Sequence, residues 1–166
     1  MKRPTTRPGR RTALVAGTIA VLVAVAAWFA LLRGESAEDV SQEYLAAIWE
    51  GDWNAECDLA TDEWRHILFD GHPFANCSDY AKAADKANRD GGFAAFRDDT
   101  ELNITVEEFS SEGDKARVGY VIEFVYDGDD RAGFDKLWQG GGPVDRGTVE
   151  LVRVAGEWRI AGVDAG

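Results

Sequence analysis

LVRVAGEWRIAGVDAG, residues 151–166, reads as two strands folded against each other. Branched and aromatic residues run up to Ala155-Gly156 and resume after it, and a two-residue break of that kind suits a tight antiparallel turn. One strand is expected from about Thr148 to Val154 and its partner from Glu157 to Val163. Upstream, Val118, Tyr120, Ile122, Phe124 and Tyr126 alternate with Arg117, Gly119, Val121, Glu123 and Val125. Before them Leu102, Ile104 and Val106 alternate with Asn103, Thr105 and Glu107. A period of two predicts two long strands joined through Ser110 to Asp114. The C-terminal half is therefore expected to be an antiparallel sheet with one apolar face.

The period before residue 92 is that of a helix. Ser36 with an acid three residues on is an N-cap pattern, and Val40, Tyr44, Ala47 and Ile48 recur at helical spacing up to Gly51. Asp52 is placed to cap a helix carrying Cys57 and Leu59. Thr61 is placed to cap another with Trp64, Ile67 and Leu68 on one face, stopped by Gly71 and Pro73. A further helix runs from Asn76 or Ser78 to about Asn88. Helices first and a strand meander afterwards is an α+β layout.

The second and third strands are separated by about twenty residues, long for a connection inside a compact domain. Asp127-Gly128-Asp129-Asp130 fails the calcium-loop pattern, since Arg131, Ala132 and Trp138 stand where that loop needs an oxygen ligand, a glycine and a glutamate. Phe134, Leu137 and Trp138 share one helical turn and are expected to fold back over the sheet as a cover, with Gly140-Gly141-Gly142-Pro143 as the return.

The first residues set the compartment. Residues 13–32, ALVAGTIAVLVAVAAWFALL, are twenty uncharged positions, roughly 30 Å of helix and the thickness of a bilayer core. Lys2, Arg3, Arg7, Arg10 and Arg11 precede this run, and Glu35, Glu38 and Asp39 follow it, so the positive-inside bias keeps the N-terminus in the cytoplasm. The expected organisation is a basic cytoplasmic tail at 1–12, a transmembrane helix at 13–32 and an extracytoplasmic domain at 33–166. The alternative is a cleaved signal with export of the remainder. All 30 acidic residues lie beyond Arg33, against 12 basic ones there, a net charge of −18. Nucleic acid and anionic membrane surfaces, which reward clustered Lys and Arg, are excluded as partners of that domain.

In an oxidising compartment the two cysteines, Cys57 and Cys77, are expected to form a disulfide. Glu63-x-x-His66 lacks the second copy that a di-iron site needs, and no CxxC or HExxH is present, so no metal and no cofactor is expected.

The layout, and the closing Leu151, Val152, Val154 and Gly156-Glu157-Trp158-Arg159-Ile160, resemble the NTF2-like superfamily and its final hairpin. Glu50-Gly51-Asp52-Trp53 through Cys57-Asp58-Leu59-Ala60-Thr61, with Cys77 later, resembles small exported bacterial members with paired cysteines. The resemblance implies a cone of three or four helices packed on a curved antiparallel sheet. It covers both enzymes and non-enzymes, so chemistry must come from the residues. Enzymes of that kind hold an acid or base in the apolar cone, but the strand face from Val118 to Tyr126 carries no carboxylate. The expectation is therefore a non-catalytic binding or assembly module of the bacterial envelope. Its partner would be an apolar small molecule lined by Tyr44, Tyr120, Phe124, Trp138 and Trp158, an envelope protein, or a second copy docked on the Val121 and Val125 face. The alternative is an isomerase, dehydratase or hydrolase using Asp62, His66 and Tyr120.

Overall fold

Ser36 opens the first helix with a closed capping box. Its hydroxyl accepts from the Asp39 N–H at 3.1 Å, and the Asp39 carboxylate accepts from the Ser36 N–H at 3.2 Å. Helix α1 (Ala37–Glu50) then ends at Gly51, whose φ of 72° lies in the left-handed region that glycine adopts at low cost. The computed structural model describes residues 35–89, 92–138 and 142–166. The tail expected at 1–12 and the span expected at 13–32 lie outside the described residues, among which no helix is long and apolar enough to cross a membrane.

Helices α2 (Trp53–Leu59), α3 (Asp62–Leu68) and α4 (Cys77–Asn88) follow, with Asp52, Thr61 and Asn76 each accepting from an N–H three residues on. A 3-10 segment, Gly92–Asp99, leads into the sheet. The rest is β1 (Thr100–Glu112), β2 (Lys115–Tyr126), helix α5 (Arg131–Leu137), β3 (Val144–Val154) and β4 (Glu157–Ala165). The strands pair antiparallel in chain order, so the fold is α+β with a curved four-stranded meander.

Two bulges bend the sheet. One leaves Glu107 unpaired on β1, and the other leaves Ala161 unpaired on β4. A bulge also reverses the phase of everything after it. On β4 the inward residues are Trp158 and Ile160 before Ala161, then Val163 and Ala165 beyond it. Gly147 of β3 lies opposite Tyr120 of β2. A Cβ there would collide with the Asp164 carbonyl oxygen and come within 2.7 Å of the Tyr120 hydroxyl, so only glycine lets that ring lie across the strands.

The core joins Val40, Tyr44 and Leu45 of α1 to Val118, Tyr120 and Ile122 of β2, Val149 and Leu151 of β3, and Trp158 and Ile160 of β4. A parallel bridge from Ala60 to Ile160, with the Thr61 N–H donating to the Ile160 carbonyl at 2.8 Å, docks the α2–α3 joint on the free edge of β4. Cys57 and Cys77 are bonded with Cα atoms 5.5 Å apart, which ties α2 to the start of α4.

Two expectations are corrected. The third strand starts at Val144 rather than Thr148, because the chain returning through Pro143 joins the ladder at once: the Phe124 N–H donates to the Pro143 carbonyl at 3.0 Å. Ile67 is 59 % exposed, while Trp64 and Leu68 on the same short helix are half-buried, the Trp64 indole N–H donating to the Tyr44 hydroxyl at 2.9 Å. In contrast α5 does fold back over the sheet: Phe134 is fully buried and stacks on Tyr126 with ring centroids 4.6 Å apart.

The disulfide closes a loop of 20 residues, so the chain-entropy argument gives it about 3 kcal/mol. The double variant Cys57→Ala, Cys77→Ala should lose about that much in urea unfolding of the full chain. Reductant should bring the wild type down to the variant and leave the variant unchanged.

A candidate ligand cavity

The end of the sheet that α1 leaves uncovered is roofed by aromatic side chains. Trp138, in the residue that closes α5, packs on Phe124 of β2 at 4.7 Å and on Phe93 of the 3-10 segment at 5.4 Å. Trp49 of α1 meets Phe124 at 4.9 Å and Phe93 at 5.9 Å. The roof meets the sheet at Phe124. Beside that contact the described residues line a cavity of about 800 Å³, open on one side and walled by Leu45, Ile48, Trp49 and Trp53 on the helical side and by Leu102, Ile122, Phe124 and Val163 on the sheet. That size suits an organic molecule, and the wall is mostly apolar. Phe93 and Val144, both in the wall, are 43 % and 42 % exposed, so the lining continues out to the surface.

A few polar groups interrupt the wall. Arg97 lines the cavity from the 3-10 segment, and among the described residues no carboxylate lies within ion-pair distance of it. Its Nε–H and the indole N–H of Trp138 are buried donors without an acceptor, an arrangement that folded proteins rarely leave. Arg97 lies against the end of α1, where a Cβ on Gly51 would come within 2.7 Å of Nη1. On the sheet side, the Tyr120 hydroxyl donates to Asp145 Oδ2 at 3.4 Å. Burial, reinforced by Asp145, pushes the Tyr120 hydroxyl up to about 12. It stays protonated at physiological pH and acts as a donor rather than a base.

The residues singled out from the sequence divide between three places. Tyr120, Phe124 and Trp138 line the cavity. Tyr44 is in the packed core, 1 % exposed, where burial raises its hydroxyl above the usual range. Trp158 is at the opposite end of the sheet, opposite Arg153 in the ladder and with the Arg153 guanidinium 4.4 Å over its ring. Asp62 and His66 line a separate surface groove beside the disulfide, with Asp62 bound to Arg65 at 3.0 Å and its side chain 94 % exposed. Asp62, His66 and Tyr120 therefore do not form one site. On the expected docking face Val121 is buried and Val125 exposed.

Among the cavity residues that the sequence did not point to are Trp49, Phe93, Arg97 and Asp145. Asp145 had a signal, because it shares the phase of Gly147, Val149 and Leu151 once the third strand is extended. Phe93 and Phe96 stand three apart, the 3-10 spacing. Arg97 carried no pattern at all.

A second polar group inside the molecule is Glu56 of α2, 5 % exposed, whose Oε2 accepts from the Tyr80 hydroxyl at 2.7 Å. Burial pushes the Glu56 carboxyl above the ordinary carboxylate range, with the Tyr80 hydrogen bond opposing. Burial likewise raises the Tyr80 hydroxyl.

No family model and no curated protein matches the chain. Among solved structures it is similar to a SEC-C motif containing protein from Rhodopseudomonas palustris, with 16 % identity and a TM-score of 0.47, covering 83 % of this chain and 85 % of that one. It is also similar to a de novo designed protein with a curved β-sheet, with 14 % identity and a TM-score of 0.40, covering 78 % and 98 % of the two chains.

Glu56 makes a prediction about pH. A carboxyl with a raised folded value holds its proton more tightly in the folded than in the unfolded chain. Its contribution to stability is full below the unfolded value of about 4.3 and is lost as pH rises through the folded one. Glu56→Gln keeps an acceptor for Tyr80 and removes the titration. Unfolding measured across pH should therefore show the variant gaining on the wild type as pH rises above about 4.3, then running parallel to it.

Proposed function

We propose that residues 33–166 form an NTF2-like binding module that holds a small molecule with a largely apolar body. The single observation that carries this reading is the aromatic-roofed cavity of about 800 Å³. Its wall is mainly aromatic and aliphatic with a few polar groups, the chemistry that recognises an apolar body. Here the Phe124 ring meets both Trp49 and Trp138 at the edge of the space without filling it. The setting we propose is the outer side of a bacterial membrane, with 13–32 as a single-pass anchor and 1–12 inside. The uncharged run of twenty residues and the Cys57–Cys77 disulfide support that setting.

A second reading, acid/base catalysis in the same cavity, draws on the Tyr120–Asp145 pair at 3.4 Å. There Asp145 would take a proton, and the Tyr120 hydroxyl, released from Asp145, would donate to a ligand oxygen. The apolar remainder of the wall favours binding over this.

The test fills the cavity. Val163→Phe places a ring in the space below the roof. Native mass spectrometry of the full chain, released from membranes, should show an organic adduct on the wild type and little or none on Val163→Phe, with thermal stability kept. A wild type that carries no adduct and takes up no apolar probe would overturn the binding reading. Turnover of a bound compound that stops in Asp145→Asn would establish the catalytic one.

A further inference from the structure

We infer that the ligand of this cavity is an amphiphile bearing a carboxylate, and that Arg97 is the residue that reads it. The inference rests on the binding reading above and adds the chemical class of what is bound. A guanidinium is always charged, and taking one out of water is expensive unless an anion or acceptors meet it. Among the described residues Arg97 has no ion-pair partner and makes no hydrogen bond, its Nε–H is buried without an acceptor, and the side chain forms part of a mainly apolar wall. The Nε edge of a guanidinium is one of its two forks for a planar carboxylate, which accepts two parallel N–H bonds. Trp138, in the same wall, holds another buried donor without an acceptor. Both donors are closed off as the wall stands, so a carboxylate meets them only as these two side chains turn toward the cavity, and a neutral apolar ligand brings no acceptor for either.

Two charges oppose an anion, and neither outweighs Arg97. The domain is strongly acidic, but at physiological ionic strength exposed charges are screened beyond a Debye length of about 8 Å, whereas a guanidinium in a cavity wall is screened much less. Asp145 is the one acid among the described lining residues, and it already accepts from Tyr120. The mouth fits the other half of such a molecule: Phe93 and Val144 are exposed where an alkyl or aryl tail would enter.

Octanoate, octanol and octylamine share one tail and differ only at the head. Calorimetric titration of the full chain in phosphatidylcholine nanodiscs, with empty discs as the blank, should give octanoate an affinity about tenfold or more above octanol, with octylamine weakest. Arg97→Gln should bring octanoate down to octanol, and a cooperative melt at or above the wild-type temperature shows that the variant folds. Equal affinity for octanoate and octanol in the wild type, or a carboxylate preference that survives Arg97→Gln, would overturn this inference and leave the binding reading standing. Binding of none of the three would overturn both.

Discussion

The architecture depends on a mismatch of lengths. Helix α1 has 14 residues, about 21 Å at 1.5 Å per residue, while the strands beneath it have up to 13, about 43 Å at 3.3 Å per residue. One helix of that length cannot cover the concave face of such a sheet. The half it does cover is the dry core, where Tyr44, Leu151 and Ile160 are at most 1 % exposed. The other half needs a second cover, and the chain supplies one late, through α5 and the 3-10 segment, whose rings span the gap without filling it. Core and cavity are thus two ends of one curved surface.

Curvature makes that division possible, and it comes from small features. The unpaired Ala161 turns Val163 and Ala165 inward in place of Gly162 and Asp164, which puts apolar wall where a carboxylate would otherwise stand. Gly147 lets Tyr120 lie across the sheet, and the ring brings its hydroxyl to Asp145. The helices are secured separately. The bridge to Ile160 fixes α2 and α3 to one sheet edge, and the disulfide carries that constraint on to α4.

The strands were legible because alternation survives any tertiary context in which one face is buried: Val118 to Tyr126 and the turn at Ala155-Gly156 read directly. The caps at Ser36, Asp52 and Thr61 read equally well, since a cap is a local bond between a side chain and an N–H three residues away, while Asn76 was one of two starts open for α4. The site was half legible. Tyr120, Phe124 and Trp138 follow from strand phase and helical spacing, but Trp158 shares its phase with the core and is carried by the hairpin to the wrong end of the sheet. Arg97 was invisible, because nothing local distinguishes an arginine that will face a cavity from one that will face water. Glu56 was hidden in the same way: its burial comes from α4, which the disulfide brings alongside.

Of the six tryptophans in the chain, Trp49, Trp53 and Trp138 stand in the cavity wall. Indole emission shifts to shorter wavelength as water leaves its surroundings, so half of the chain's indoles sit where occupancy changes their hydration. The domain carries its own optical reporter of whether the space is wet or filled, and needs no label to be watched.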